Sequence, residues 1–365
     1  MKKSVPVVVG FLILASLSPA VLAENQIAKV KAAPLLECAD DSTVQLGRTI
    51  PTGAPAATGA DKYKYDPLRS WTDGKSKERI VSFVRDIATP GSKNYVAPAD
   101  RYATFDNDGT ILCEKPTYFE VIYTRDRARA VQDKHPEWAG DAAVQKFINS
   151  SDDDLHDVHT SESMKILAQV AGNSSLESLR EPAVNWLDSA KHKRFQRLYK
   201  KLHYLPMLEL ISYLRSYEFK IYLCSGGQAE FMRCYAKPEY GIESSQVIGS
   251  SLELDYAEDS GKSEIVTKPK LQVFNINGNK AVTISQHIGK RPVIACGNSD
   301  GDTQMLTYAS DRSGPSLSIL IHHDDAEREY AYDKGAEKVL PIAAQKGWLV
   351  VSMKDDFKKV FDFDK

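Results

Sequence analysis

The sequence has little that would suit it to a membrane interior, to nucleic acid or to a disulfide scaffold. Its longest apolar run, Val5 to Leu17, is too short to cross a bilayer. The 47 Lys and Arg residues are interleaved with 49 Asp and Glu residues, for a formal net charge of −2. Without a basic stripe the chain lacks the electrostatic footprint of a DNA or RNA binder. Cysteine is scarce: Cys38, Cys113, Cys224, Cys234 and Cys296 leave at least one thiol over from any pairing, and 365 residues can bury a core without disulfides. Cys224 and Cys296 fall inside apolar runs that read as buried strands, where packing is expected of them rather than pairing. No fixed-period repeat is present, which excludes solenoids and propellers.

What is present begins with a leader. Lys2 and Lys3 precede the apolar run, and Val21-Leu22-Ala23 gives a small-residue cleavage signature with no cysteine after it to take a lipid. Residues 1–23 therefore read as a signal peptide, and the expected product is secreted across the inner membrane to the periplasm, without membrane insertion. Residues 24–75 have no apolar periodicity and include a Pro/Gly/Ala/Thr stretch from Pro51 to Gly59, the composition of a poorly ordered arm. Order is expected from the helix Lys77–Ala88, apolar at positions 80, 81, 83, 84 and 87, followed by a strand over Arg101–Phe105. Residues 76–116 thus open a core. Residues 117–204 are helix-like and strongly charged, with no convincing strand run, and read as an inserted helical cap.

From residue 205 to 365 the pattern alternates. Helix Met207–Ser216 precedes strand Phe219–Cys224, helix Glu230–Tyr235 precedes Val247–Ile248, and helix Val282–Ile288 precedes Pro292–Cys296. Strand Ser316–Ile321, a helix after Asp324 and strand Trp348–Ser352 complete it. Alternating helices and apolar strands predict an α/β fold with a Rossmann-like parallel sheet, covered on both faces.

Three of these strands end in polar clusters, where open parallel sheets bind ligands. Phe105-Asp106-Asn107-Asp108-Gly109-Thr110 places two carboxylates at i and i+2, on one side of an extended chain. Leu223-Cys224-Ser225-Gly226-Gly227 offers a hydroxyl and glycine amides able to cradle an anion. Cys296-Gly297-Asn298-Ser299-Asp300-Gly301-Asp302 gathers hard oxygen ligands of the kind that suit Mg²⁺. Lys280, ahead of the third strand, is a cation placed to meet phosphate.

Taken in order, these four motifs resemble the haloacid dehalogenase superfamily, in its phosphatase branch, over about residues 76 to 352. The resemblance implies Asp106 as nucleophile and Asp108 as acid/base, since the family's dehalogenases and P-type ATPases lack an acid at the latter position. It further implies Thr110, Ser225, Gly226 and Lys280 as phosphate-binding residues. Asp106, Asp108, Asn298 and Asp302 would hold Mg²⁺, and Asp300 and Glu114 would stand behind the metal or touch substrate. Many members carry aspartate where this chain has Asn298, whose amide still offers an oxygen. The helical insert resembles the C1-type cap of phosphoserine phosphatase-like members, so the expected partner is a small polar phosphomonoester.

Each motif also has a plain reading. Asp-x-Asp-Gly fills turns, but an EF-hand is excluded because Ile111 sits where that loop needs its glycine. Lys290 competes with Lys280 for phosphate, less well because it follows the helix rather than opening it. In His322-His323-Asp324-Asp325, Asp324 reads as a helix N-cap. Two other functions fit the same motifs: a phosphotransferase passing the aspartyl phosphate to an alcohol, and a non-catalytic phosphoryl-ligand binding protein.

Overall fold

A computed structural model describes residues 66–157, 160–259 and 261–364. The leader read at 1–23, the arm up to residue 65 and Cys38 lie outside them. Among the described residues seven strands form one sheet: β1 Tyr102–Phe105, β2 Lys220–Gln228, β3 Val247–Asp259, β4 Lys262–Val273, β5 Ile294–Gly297, β6 Leu317–His322 and β7 Leu349–Ser352. Their order is β4-β3-β2-β1-β5-β6-β7, and every neighbouring pair is parallel except β3 with β4. The central strands are apolar because both faces are covered: Leu223, Cys296 and Ile319 point into one core, while Cys224, Ala295 and Leu320 point into another. Strands β1 to β4 build outward to one edge, and the chain then returns to pair β5 on the other side of β1. That reversal puts the carboxyl ends of β1 and β5 side by side, where ligands bind in open α/β sheets.

The antiparallel edge corrects the expectation of a parallel sheet. Strand β3 runs well past Ile248 and turns back into β4, so that Val247–Asp259 and Lys262–Val273 form a long hairpin. Leu254 and Tyr256 on β3 are largely exposed, so little burial marks this stretch as a strand. Pro269, which argues against a central strand, is tolerated because β4 lies at the edge.

Between β1 and β2 lie the helices Phe119–Val131, Ala142–Asn149, Thr160–Ala171 and Leu176–Leu187. They are fastened at two places. Phe119, Tyr123 and Trp186 pack with Phe231, which follows β2, and Phe119 and Trp186 also stack with Tyr199. At the hairpin, the Thr267 hydroxyl donates to the carbonyls of Ala171 and Ser174, and the Asn173 amide donates to the Thr267 carbonyl at 2.7 Å.

Two further expectations are revised. The end of the segment read as an arm is packed: Leu68 and Trp71 are buried, the Trp71 indole donates to the Pro206 carbonyl at 2.9 Å and its ring meets Phe357 edge-on. Two isolated apolar residues carry no period, which is why composition concealed them. The helix expected after Asp324 begins only at Val339, so Asp324 is not its N-cap; its carboxylate accepts instead from the Ser352 hydroxyl and the Lys354 amide. Asp325 closes the local turn by accepting from the amides of Glu327 and Arg328. Cys113, Cys224, Cys234 and Cys296 are all free thiols.

Candidate active site

Strand β1 contributes a fully buried Ala103-Thr104-Phe105, and its ladder to β5 continues one residue further, the Asp106 amide donating to the Cys296 carbonyl at 2.9 Å. The Asp106 side chain is thereby fixed at the strand end. Beyond it the chain turns sharply at Gly109, whose φ of +74° favours glycine. A Cβ there would lie 1.9 Å from the Asn298 amide nitrogen and 2.8 Å from a Glu114 carboxylate oxygen, so glycine also permits the approach of those two side chains.

Lys280 opens the helix Gly278–Ile288 and is buried. Its ammonium bridges Asp106 Oδ1 and Asp302 Oδ1, at 2.6 Å each. The other Asp302 oxygen accepts from the Asn298 amide at 3.0 Å, the Ser299 amide at 3.0 Å and the Ser299 hydroxyl at 3.1 Å. Asp302 therefore holds Lys280 with one oxygen and the turn after β5 with the other. Asp302, expected as a metal ligand, is placed by these bonds between Lys280 and the turn after β5.

Asp300 also departs from expectation. Its carboxylate accepts from the amides of Lys338 and Val339, at the start of the helix Val339–Lys346, and so faces that helix. Thr110 is fully buried and donates to Asn298 Oδ1 at 3.2 Å, orienting that amide where contact with phosphate had been expected. Lys290 is exposed and pairs with Asp100, ahead of β1, which leaves Lys280 as the lysine at the Asp106 end.

One cavity brings together Asp106, Asp108, Glu114, Ser225, Gly226 and Lys280. Ser225 and Gly226 sit within β2 where its register against β3 shifts between Cys224 and Gln228, an irregularity that displaces this stretch from the ladder. The opposite wall belongs to the inserted helices and includes Tyr118, Glu120, Thr124 and Ser163, none of which the sequence motifs singled out. Glu120 has only its place in a helical first turn to mark it, a common position for solvated acids. Here both of its oxygens accept from the Gln228 amide, at 3.0 and 3.1 Å, tying the cap to the end of β2.

Charge in this cavity is out of balance. Burial, and then the nearby Asp302 charge, push the Asp106 carboxyl well above the usual range against the pull of Lys280. Burial pushes Asp108 to about 6, opposed by a hydrogen bond from Asn107. Burial carries Glu120 to about 8, opposed by the Gln228 amide. For Lys280 burial acts downward but is outweighed by Asp106 and Asp302, and the group stays an ammonium. Four acids, Asp106, Asp108, Glu114 and Glu120, line the cavity with one lysine, Lys280. A divalent cation fits that deficit, with oxygen donors from the Asp106 carboxylate, the Asp108 main-chain carbonyl and the Asn298 amide. Among the described residues no group of three or more His, Cys, Asp and Glu side chains is placed to hold a metal ion.

Glu120 gives a pH signature. Its carboxyl keeps its proton up to about 8 in the folded state, against an ordinary value of 4.5. The folded state thus binds the extra proton in that window, and stability falls as pH rises through it. Glu120→Gln removes this contribution. Urea midpoints of the variant should gain on the parent from about pH 5 to about pH 8 and hold a constant advantage above that. Parallel curves at all pH values would show that Glu120 titrates normally.

No family model matches the chain, and no curated protein matches it. Solved structures do. A conserved, functionally unknown protein from Anaerococcus prevotii DSM 20548 superposes with a TM-score of 0.53 at 15% identity, covering 82% of this chain and 99% of that one. A phosphoserine phosphohydrolase-like protein from Francisella tularensis subsp. tularensis SCHU S4 gives 0.38 at 16% identity, over 69% of this chain and 94% of its own. A probable phosphoserine phosphatase from Vibrio cholerae gives 0.36 at 13% identity, over 71% and 62%. The first likeness is one of fold: this chain shares the α/β architecture of the Anaerococcus protein across nearly all of that protein's length.

Proposed function

We propose that this chain is a phosphatase of the haloacid dehalogenase type, hydrolysing a small polar phosphomonoester through a phosphoryl group carried on Asp106. The observation that carries the reading is the Asp106–Lys280–Asp302 bridge at the end of β1, with Asp108 two residues further on and lining the same cavity.

An oxygen of Asp106 forms a bond to phosphorus while the bond from phosphorus to the leaving oxygen breaks. Asp108, raised to about 6 by burial, gives its proton to that leaving oxygen. It then accepts a proton from the water that attacks the acyl phosphate, and Asp106 is released as a carboxylate with inorganic phosphate as product. Lys280, Ser225 and the backbone at Gly226 face the phosphoryl oxygens whose charge is redistributed during transfer. Asp106, the Asp108 carbonyl and Asn298 would hold Mg²⁺, which would supply the positive charge that lets a carboxylate approach a phosphate dianion. Asp302 keeps Lys280 charged and in place. The cap wall, with Tyr118, Glu120, Thr124 and Ser163, meets the leaving group and excludes bulk water. The leader read at residues 1–23 supports a periplasmic site of action.

p-Nitrophenyl phosphate hydrolysis by the purified protein provides the test. Turnover with Mg²⁺ should fall to background in EDTA and return when Mg²⁺ is restored. Turnover indifferent to EDTA would contradict the proposed charge balance. Transfer of phosphate to added glycerol in place of release would mark a phosphotransferase.

A further inference from the structure

A second buried acid lies behind the site and takes no part in the chemistry above. Glu329 is fully buried. Its Oε1 accepts from the Tyr204 hydroxyl and the Cys113 thiol, each at 3.0 Å, and its Oε2 accepts from the Tyr330 amide at 2.6 Å. That same Oε2 is 3.2 Å from Nδ1 of His323, itself buried at the end of β6. The other ring nitrogen, Nε2, is 2.8 Å from the Gly109 carbonyl. The ring plane is fixed by Tyr332, stacked at 4.5 Å and 19°.

The hydrogen-bond inventory determines one proton. A carbonyl oxygen only accepts, so Nε2 carries hydrogen. His323 then lies between a buried carboxylate and the main chain of the catalytic turn, with Nε2 donating to the Gly109 carbonyl and Nδ1 against Glu329. Burial pushes Glu329 up, but its contacts with His323, the Tyr330 amide and the Cys113 thiol together hold it below the usual range.

The turn it grips is the one that aims Asp108. The Gly109 amide donates to the Leu112 carbonyl at 2.7 Å, and its Cα is hemmed in by Asn298 and Glu114. With its carbonyl anchored by His323, rotation of the peptide following Gly109 is blocked, and the residue before it cannot swing. We propose that His323, held by Glu329, positions the Gly109 turn, and through it the Asp108 carboxyl, for proton transfer to the leaving oxygen. The proposal rests on the phosphatase reading above.

A positioning role through Asp108 has a signature that general support of the fold lacks. Poor leaving groups need the proton and good ones do not. Across aryl phosphates, His323→Gln should lower kcat/KM roughly ten-fold for p-methoxyphenyl phosphate and by less than about two-fold for p-nitrophenyl phosphate. In an Asp108→Asn background the same substitution should add less than about two-fold for either ester. Equal losses for both esters, or losses that multiply in the Asp108→Asn background, would overturn the proposal. If the single variant fails to fold, His323→Gln/Glu329→Gln leaves no unpaired buried carboxylate and gives the same readout. The ¹⁵N shifts of the His323 ring in the unmodified protein should report hydrogen on Nε2, and a bare Nε2 would overturn the anchoring of the Gly109 carbonyl. A parent inactive on every ester would remove the phosphatase reading itself, whereas an active parent with an indifferent His323 would remove only this inference.

Discussion

Asp106→Asn should abolish phosphomonoester turnover, by on the order of 10⁴-fold or more, and yet unfold at no lower a denaturant concentration than the parent. The two halves of this expectation have separate causes. An amide cannot displace an alkoxide from phosphorus, so the route through the acyl phosphate closes. Stability behaves differently because the buried Asp106 carboxyl is pushed up, first by burial and then by Asp302, so its charge is a cost in the folded state at neutral pH. The neutral amide removes that cost and leaves Asp302 to hold Lys280. A structural aspartate would show the opposite pattern, with stability lost and any activity lost alongside it. Urea unfolding and p-nitrophenyl phosphate assays on one preparation separate the two.

Lys280→Met should be inactive for another reason, and unstable as well. The ammonium is buried between two carboxylates at 2.6 Å, and its removal leaves Asp106 and Asp302 facing each other without a counter-charge. Breaking a buried ion pair in this way typically costs about 3–5 kcal/mol, which denaturant midpoints would read. Lys280→Met/Asp302→Asn should recover part of that loss because one of the stranded charges is gone. Activity should not recover, since the phosphoryl oxygens still lack their cation. A single variant as stable as the parent would mean that the three groups are not coupled as their geometry indicates.

The parts of the site legible in the sequence were those placed by strands. Asp106, Ser225 and Asn298 each follow or end a short apolar run, and a parallel sheet brings the carboxyl ends of such runs together. Lys280 was legible through its place at the start of a helix ahead of β5. What residue type alone does not convey is which partner each oxygen serves. Asp300 and Asp302 are equivalent acids two positions apart, yet one caps the helix Val339–Lys346 and the other holds Lys280, because a single turn of backbone faces them in different directions. Thr110 likewise serves Asn298 and not the cavity.

The cap wall was not legible because a helical insert has no strand end to anchor its polar residues. Glu120 and Ser163 look like surface residues until the tertiary fold brings them to the cavity that Gly227 and Lys280 also line. The β3–β4 hairpin was missed because its exposed Leu254 and Tyr256 and its Pro269 argue against a strand that only an edge position allows. His323 and Glu329 stand six residues apart in a segment read as the start of a helix. Because no helix begins there, the chain folds back to set Glu329 against His323, and His323 against the Gly109 carbonyl.

The most direct measurement is mass spectrometry of the protein quenched in acid during turnover of a phosphomonoester, followed by peptide mapping. The account predicts a phosphoryl group on the peptide that carries Asp106, lost on treatment with hydroxylamine and absent from Asp106→Asn. Steady turnover with no phosphorylated aspartate, or with the phosphoryl group on another residue, would contradict it.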